Sequence, residues 1–449
     1  MKLKLTGLLF VMAMGILTAQ EKKWTLQECV EYAVENNLSI EQFELDLQTV
    51  QLEKSDALGN YLPNLNGRVS ASGNRGLSLD PVTGSNFTAG IFTLSGDLTS
   101  SVTLFNGLQN ANRMRRAKMN AIAQQYRLDD LKDDIRLQVA LNYLDILSNK
   151  ESLKVFQAQF AVSQKDLDRT KELVDSGVLP KGDLLEIEAN AATIEQQIVN
   201  AENQVLISRI SLAQLLQITD YENFYISDSA YEIPPSDILN NTAKTIFDKA
   251  LTFRNDIKLS EANVGLAEKD LDIAKGANYP TLSAFFNYNT RYSSRKQFDP
   301  TTGTSFRFDL VDQLWLFDGI TYGGQLNVPI FNGFSVKNSI KRSQINVERA
   351  KVQFEQEKLA LETTVNQAYV AVNSSFKTYE AAEKTLEARS LAYQYSKERY
   401  DVGLMNAFDF SQAQAGVDNA EADVIRTKYD YIFRLKVLEF YFGVPMQMN

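Results

Sequence analysis

The sequence predicts an α+β protein in which long antiparallel helical hairpins of coiled-coil type are combined with pairs of β-strands, the whole plan being written twice along the chain. Three observations lead there. Phe105-Asn106-Gly107 returns as Phe331-Asn332-Gly333, and the same step along the chain carries Lys171-Glu172 to Lys397-Glu398, Asp175 to Asp401, Gly177 to Gly403 and Asp183 to Asp409. Neither Gly nor Pro occurs anywhere between Gly107 and Gly177, nor anywhere between Gly333 and Gly403. Nothing in either stretch interrupts a helix, which at ~1.5 Å per residue would reach about 100 Å. Upstream of each Phe-Asn-Gly the apolar period changes to two, the period of a strand with one wet face.

Taken in order, residues 1–20 read as a signal peptide, with Lys2 and Lys4 ahead of an apolar run from Leu5 to Leu17 and Ala19 before Gln20. The run is shorter than the roughly 20 residues that span a bilayer. Residues 21–60 read as helices. Residues 64–104 form a first β-hairpin, in which Leu65, Gly67, Val69, Ala71 and Gly73 alternate with Asn66, Arg68, Ser70 and Ser72, and Phe92, Leu94, Gly96, Leu98, Val102 and Leu104 alternate with polar neighbours. The first long helical hairpin occupies 107–230. Ile187, Ala191, Ile194, Ile198, Ala201 and Val205 step by four and three, which places its second helix after a turn at 177–182. Helices follow at 240–278 and a second β-hairpin at 281–331, with Leu282, Ala284, Phe286, Tyr288 and then Ile320, Tyr322, Gly324, Leu326, Val328, Ile330 on the apolar face. The second helical hairpin, 334–443, carries the heptad Ile340, Val347, Phe354, Leu361 continued by Val365, Ala368 and Val372. Leu77–Thr88 and Asp299–Phe306, rich in Asp, Pro, Gly, Ser and Thr, read as loops.

Composition excludes much chemistry. The 449 residues are 44% hydrophobic and 23% charged, enough for a folded core, yet contain no histidine and a single cysteine, Cys29. The commonest general base and the commonest neutral metal ligand are absent, and one thiol supports neither a zinc cluster nor an intrachain disulfide. Cys29 reads as a small buried residue on a helix face. No nucleophile–base pair or phosphate loop assembles, so no catalytic residue, metal or cofactor is expected and the chain is read as no enzyme. The net charge is −10, and loss of residues 1–20 would leave 44 basic against 56 acidic side chains. That balance argues against nucleic acid as a partner.

Each of the four strands is about as long as the ~9–11 residues that cross a bilayer when tilted, and Tyr288, Tyr292, Trp315 and Tyr322 suit its interfaces. Four strands cannot close a barrel, and open edges are prohibitive in lipid, so a spanning sheet needs strands from several chains. Two copies would supply eight strands and three copies twelve, the latter leaving room for a channel. The competing reading is a soluble sheet packed on the helices, as in a non-channel helical scaffold or adhesion protein of the cell envelope.

With these residues in view, the chain resembles the TolC family of outer-membrane channel proteins. Trp24-Thr25-Leu26 through Asn36-Asn37 resembles the opening helix, Tyr61-Leu62-Pro63 and Tyr279-Pro280 the strand entries, Phe-Asn-Gly both strand-to-helix junctions, and Gly403-Leu404 with Asp409 the hairpin tip. The resemblance implies a homotrimer whose four strands per chain form one shared twelve-stranded β-barrel in the outer membrane, continued through the periplasm by an α-barrel. On that reading 21–60 and 240–278 are the periplasmic and equatorial helices. It further implies an outer-membrane channel component of a tripartite efflux or type I secretion system, partnered by a periplasmic adaptor and an inner-membrane pump. Adaptor contact carries over to Gly177, Val178 and Leu179 and to Gly403, Leu404 and Met405.

Asp409 matches one acidic position of the family's closed gate at the periplasmic tip, whereas the position three further on is Gln412, so one carboxylate ring stands where the family pattern has two. Three like charges brought together by symmetry would attract cations. The plainer expectation for Asp409, and for its counterpart Asp183, is a helix N-cap. Met405, two past the tip glycine, cannot make the interhelical lock of a basic residue there. Arg113, Arg115, Arg116 and Lys118, with a counterpart in Lys337, Lys341 and Arg342, read as a solvated helix face, or as facing headgroups or a tunnel.

Overall fold

A computed structural model describes residues 23–79, 84–227, 233, 236–299 and 301–444. The expected signal peptide, residues 1–20, lies outside them. The described residues open with β1 (Lys23–Trp24), α1 (Leu26–Asn36) and α2 (Leu38–Gly59), then β2 (Asn64–Leu79), β3 (Asn86–Asn106), α3 (Gln109–Asp175) and α4 (Lys181–Leu215). After β4 (Tyr225–Ile226), a 3₁₀ turn at Asp237–Asn240, α5 (Ala243–Phe253) and α6 (Asn255–Gly276), the plan repeats. The second copy has β5 (Thr281–Ser293), a small hairpin of β6 (Gln297–Asp299) and β7 (Thr304–Phe306), α7 (Leu310–Leu316), β8 (Gly319–Asn327), α8 (Ser335–Asp401) and α9 (Ala407–Phe442). Helices α3 and α8 are each 67 residues long, about 100 Å at ~1.5 Å per residue.

Two compact units emerge, one of residues 1–45, 126–258 and 356–449, the other of residues 46–125 and 259–355. The second unit holds a four-stranded antiparallel sheet of order β2-β3-β5-β8. Within the stretch 77–88, expected as a loop, residues 77–79 and 86–88 extend the two strands, because ladder hydrogen bonds are made by backbone and need no apolar side chain; residues 80–83 lie outside the described ones. Asp299–Phe306, likewise expected as a loop, contains the β6–β7 turn. Val328 and Ile330 extend the alternation, yet β8 stops at Asn327, since Pro329 has no N–H to donate.

The Phe-Asn-Gly junction has a physical cause. Gly107 and Leu108 both adopt left-handed backbone (φ 65° and 63°), and so do Gly333 and Phe334 (φ 58° and 64°). The first position favours glycine, which carries no Cβ to clash. Asn106 then accepts from the Asn110 N–H (3.2 Å) and donates its amide to Asn110 Oδ1 (2.7 Å), satisfying an orphan donor where α3 begins. Gly107 also packs against Gly276 at the end of α6: a Cβ built on Gly107 would lie 2.2 Å from the Gly276 carbonyl oxygen.

In the first unit, Thr25 and Glu28 form a reciprocal capping box at α1, and Cys29 is buried on its inner face. The α4 seam buries Ile187, Ala191, Ile194 and Ala201. Along α8, Val347, Leu361, Val365 and Val372 are buried, so the expected heptad faces are the packed ones. Helix α4 ends at Leu215, with Gln217 in left-handed backbone, so the first helical hairpin closes before residue 230. At the α5–α6 junction Arg254, its side chain one-tenth exposed, grips Asp256 (2.5 Å) with Asp130 at 3.8 Å, and lies beside the Phe440 and Tyr441 rings. Burial, with Asp256 adding repulsion, pushes Asp130 up to about 6.

Candidate functional site

The first candidate site is the sheet. Its register gathers apolar residues of all four strands on one face: Gly67 opposite Leu98, Leu98 opposite Tyr288, Tyr288 opposite Ile320, and Phe286 opposite Tyr322. The other face takes Ser70, Ser95, Arg291, Asn287 and Thr321. A two-residue side-chain period produces that segregation once the register is set. Much of the apolar face is bare, with Val69 77% and Tyr322 79% exposed. Among the described residues both outer strands, β2 and β8, end the sheet with an unpaired edge.

The two hairpins have the same register. Asn64 pairs with Ser101 and Thr281 with Asn327; Leu65 pairs with Ser100 and Leu282 with Leu326. First strands are therefore related as Asn64 to Thr281, and second strands as Ser101 to Asn327. The central β3–β5 ladder joins the second strand of one repeat to the first strand of the next, and its counterpart, β8 against β2, is not made within the described chain.

The second candidate site is the pair of hairpin tips in the first unit. Helix α3 ends with Gly177 left-handed (φ 76°), the Val178 N–H bonded to the Leu173 carbonyl (2.9 Å) and the Gly177 N–H to that of Val174 (3.0 Å). Helix α8 ends identically: Gly403 has φ 79°, Leu404 bonds Arg399 (2.8 Å) and Gly403 bonds Tyr400 (3.0 Å). Both are Schellman caps, for which a residue in left-handed backbone is required. They leave Val178 and Leu404 bare, Leu404 71% exposed, while Leu179 and Met405 are half-buried.

Neither Asp409 nor Asp183 is an N-cap. The cap of α9 is Asn406, whose Oδ1 accepts from the Asp409 N–H (2.8 Å) and whose Nδ2 donates to Asp409 Oδ2 (3.0 Å); α4 begins on Pro180, which has no side-chain acceptor. In each case the aspartate stands three positions inside the cap, and Asp409 remains exposed. Met405 packs on a cluster of Ile187, Ala407 and Phe410 with Leu167, Tyr393 and Tyr400. Phe410, 1% exposed, stacks on Tyr400 at 4.5 Å and 4° and on Tyr393 at 5.8 Å, each pair contributing about 0.5–1.5 kcal/mol beyond area burial.

Three contacts tie α3 to α8 near the tips: Arg169 to Asp401 (2.7 Å), Lys397 to Asp166 (3.4 Å), and the Thr170 and Tyr400 hydroxyls (3.2 Å). The ion pairs are partly solvated, so each is worth about 0.2–1 kcal/mol. They join the hairpins where Met405 supplies no charge. Sequence spacing did not reveal them, because Arg169 and Asp401 are not related by the repeat and meet only once the hairpins pack. Further up α9, burial with Glu421 nearby pushes Asp418 up to about 7.

Among the basic residues after the strand-to-helix junction, Arg116 pairs with Asp270 (2.6 Å), Arg113 donates to Asn110 and Gln109, and Arg115 to Asn112. Those three arginines are thus engaged by their own chain. Among the described residues no group of three or more Cys, Asp or Glu could hold a metal ion, and no helix is long and apolar enough to cross a membrane.

A sheet with one apolar face and two open edges, on a chain otherwise built of coiled-coil helical hairpins, has the architecture of an outer-membrane channel protein. The sequence profile of the outer membrane efflux protein family matches residues 30–216 and 246–444, and the chain belongs to that family. Its place is accordingly the outer membrane. Its fold is similar to that of the Campylobacter jejuni CmeC outer membrane channel (TM-score 0.79, 18% identity, covering 94% of this chain and 86% of that one). It is also similar to that of the outer membrane protein VceC of Vibrio cholerae (TM-score 0.74, 15% identity, 93% and 96%). In sequence it is 22% identical over 234 residues to the proteases secretion protein PrtF of Dickeya chrysanthemi, covering 48% of this chain and 44% of that protein. The chain thus matches less than half the length of that relative.

Proposed function

We propose that this chain is the passive outer-membrane duct of a tripartite efflux or type I secretion system, three copies closing one twelve-stranded barrel. The observation that carries the proposal is the sheet: a predominantly apolar face suits lipid, and unpaired edges in lipid demand partners. The opposite face, with Arg68, Asp97, Asn287 and Gln325, needs water. Eight strands would fill their interior with side chains, whereas twelve leave a wet lumen, which favours three copies over two. Bare apolar positions at heptad spacing, Ile345, Val352 and Leu359 on α8 and Leu38, Leu45 and Leu52 on α2, give the helices further surface for neighbouring copies.

The internal repeat specifies how the copies meet. It carries Thr99 of β3 to Gln325 of β8, and Asn287 of β5 back to Ser70 of β2. Applied to the whole β3–β5 register, it pairs β8 of one copy with β2 of the next: Gln325 opposite Ser70, Leu326 opposite Val69, Gly324 opposite Ala71. Apolar residues then share one face and polar residues the other, as a continuous wall requires. In the first unit, Gly177, Val178 and Leu179 with Gly403, Leu404 and Met405 present two similar knobs to a periplasmic adaptor, and an inner-membrane pump supplies the energy. Asp409, exposed beside the second knob, is proposed as the gate carboxylate. Transport then needs no catalytic group or cofactor of this chain. Reconstitution tests the reading: the purified protein should need detergent, run as a trimer and open ion-conducting pores in planar bilayers. A stable detergent-free monomer without conductance would overturn it.

A further inference from the structure

Helix α7 and its flanks, in the connection between β5 and β8, enter the duct so far only through the expectation that Trp315 suits a bilayer interface. Strand β5 outruns its neighbour: β5–β8 pairing ends at Asn289 opposite Gly319, while β5 continues to Ser293. The Ser293 N–H and C=O therefore face an edge that β8 does not reach. Gln313 of α7 fills it. Its Oε1 accepts from the Ser293 N–H (3.0 Å) and its Nε2 donates to the Ser293 carbonyl (3.1 Å) and to that of Phe308 (2.9 Å). One primary amide thus reproduces the donor–acceptor pair of a β-ladder, and Gln313 is 3% exposed. Nearby, the Thr290 hydroxyl donates to the Leu314 carbonyl (2.5 Å).

Thr290 belongs to the apolar face, in register with Tyr288 and Tyr292. Helix α7 is therefore fastened on the side of the sheet read as facing lipid, at the end remote from the helical segments α6 and α8 that flank the second hairpin. Its remaining side chains include apolar and bare ones: Leu310, Val311 (61% exposed), Trp315 (73% exposed) and Leu316, beside an exposed Phe306–Phe308 pair. Val311 and Trp315 stand one turn apart on the same side of the helix, with Asp312 exposed beside them, and large bare apolar side chains grouped in this way mark a partner surface. Its continuity with the apolar face, and a tryptophan as its most prominent member, point to the headgroup–acyl boundary of a bilayer, where such side chains settle ~5–10 Å deep.

We propose that α7 is a rim clasp. Gln313 seals the overhanging edge of β5, and Val311 and Trp315, on one side of the helix, are seated in the outer leaflet. The proposal rests on the barrel reading above, and fluorescence separates the two. The protein has two tryptophans, Trp24 and Trp315, so Trp24→Phe leaves Trp315 as sole reporter in full-length protein reconstituted into phosphatidylcholine vesicles. Phospholipid brominated near the headgroup end of its chains should quench Trp315 at least about twofold, as expected at that depth, and aqueous iodide should barely act. Gln313→Leu should reverse the pattern by freeing the helix. Iodide quenching of Trp315 without bromolipid quenching would overturn the proposal, and quenching by neither would do so too, by showing a second copy over the patch. A control, Trp24→Phe/Trp315→Phe/Tyr322→Trp, reports on β8: loss of bromolipid quenching there would sink the barrel reading and the clasp with it, whereas its retention without quenching at Trp315 sinks the clasp alone.

Discussion

The two Phe-Asn-Gly glycines are equivalent in sequence and differ in surroundings, which makes them a sharp test of assembly. Both have left-handed backbone, φ 65° at Gly107 and 58° at Gly333, so alanine at either costs about 1–2 kcal/mol in conformation alone. At Gly107 the added Cβ would also lie 2.2 Å from the Gly276 carbonyl oxygen and 2.8 Å from Tyr279 Cβ. Relieving backbone overpacking of that kind adds about 1–3 kcal/mol, so Gly107→Ala should destabilise the protomer by about 2–5 kcal/mol in all. Gly333 has nothing within 4 Å of its Cβ position, and neither has Gly59, the counterpart of Gly276 in the first repeat. On the proposed assembly, the repeat makes Gly59 of the adjacent copy the partner of Gly333. Gly333→Ala should therefore cost the protomer only about 1–2 kcal/mol of backbone conformation, less than Gly107→Ala, and weaken the trimer. Circular dichroism melts in detergent read the first quantity, and light scattering after chromatography reads the second. Equal loss of protomer stability in both variants, or a Gly333→Ala trimer as heat-resistant as the parent, would refute the reasoning.

Three further outcomes are expected. Asp409→Asn keeps an acceptor for the Asn406 amide while removing the charge, and should reduce the cation selectivity of the closed pore in planar bilayers; unchanged reversal potentials would take Asp409 out of the gate. Gly403 has open space around its Cβ position, so Gly403→Trp should project outward and abolish adaptor crosslinking while the trimer persists, whereas Gly403→Asn, which tolerates left-handed backbone, should retain it; crosslinking undiminished by Trp would remove the tip as docking site. Asp418, raised in the fold to about 7, holds its proton there longer than in the unfolded chain. Its contribution therefore makes the protein more stable as pH falls from 8 toward 5, and that stability is lost as pH rises through about 7. The melting temperature should show that rise and Asp418→Asn should reduce it, leaving the smaller part due to Asp130; an unaltered pH profile in the variant would assign the effect elsewhere.

The large elements were legible because each leaves a pattern: a period of two in the strands, a period of seven in α8, and long stretches free of Gly and Pro for α3 and α8. What escaped has no period to leave. Helix α7 is seven residues long, too short for a helical repeat to register among turn-forming neighbours, although Leu310-Val311 and Leu314-Trp315-Leu316 were an apolar signal in plain view. The capping of α9 was misplaced by one turn, since Asn406 and Asp409 are both good caps and only backbone geometry chooses between them. Arg254 depends on Asp130 and Tyr441, contacts between distant parts of the chain that no local pattern announces.

Disulfide trapping across the predicted β8–β2 seam tests the closed trimeric barrel most directly. Ser70→Cys/Gln325→Cys in a Cys29→Ala background places two thiols at the intermolecular counterpart of Thr99 and Asn287, which face each other within the chain. Oxidation in membranes should convert the protein into a covalent ladder that ends at the trimer, while Thr99→Cys/Asn287→Cys should link only within each chain. Monomers alone, a ladder ending at the dimer, or one running past the trimer would contradict the account.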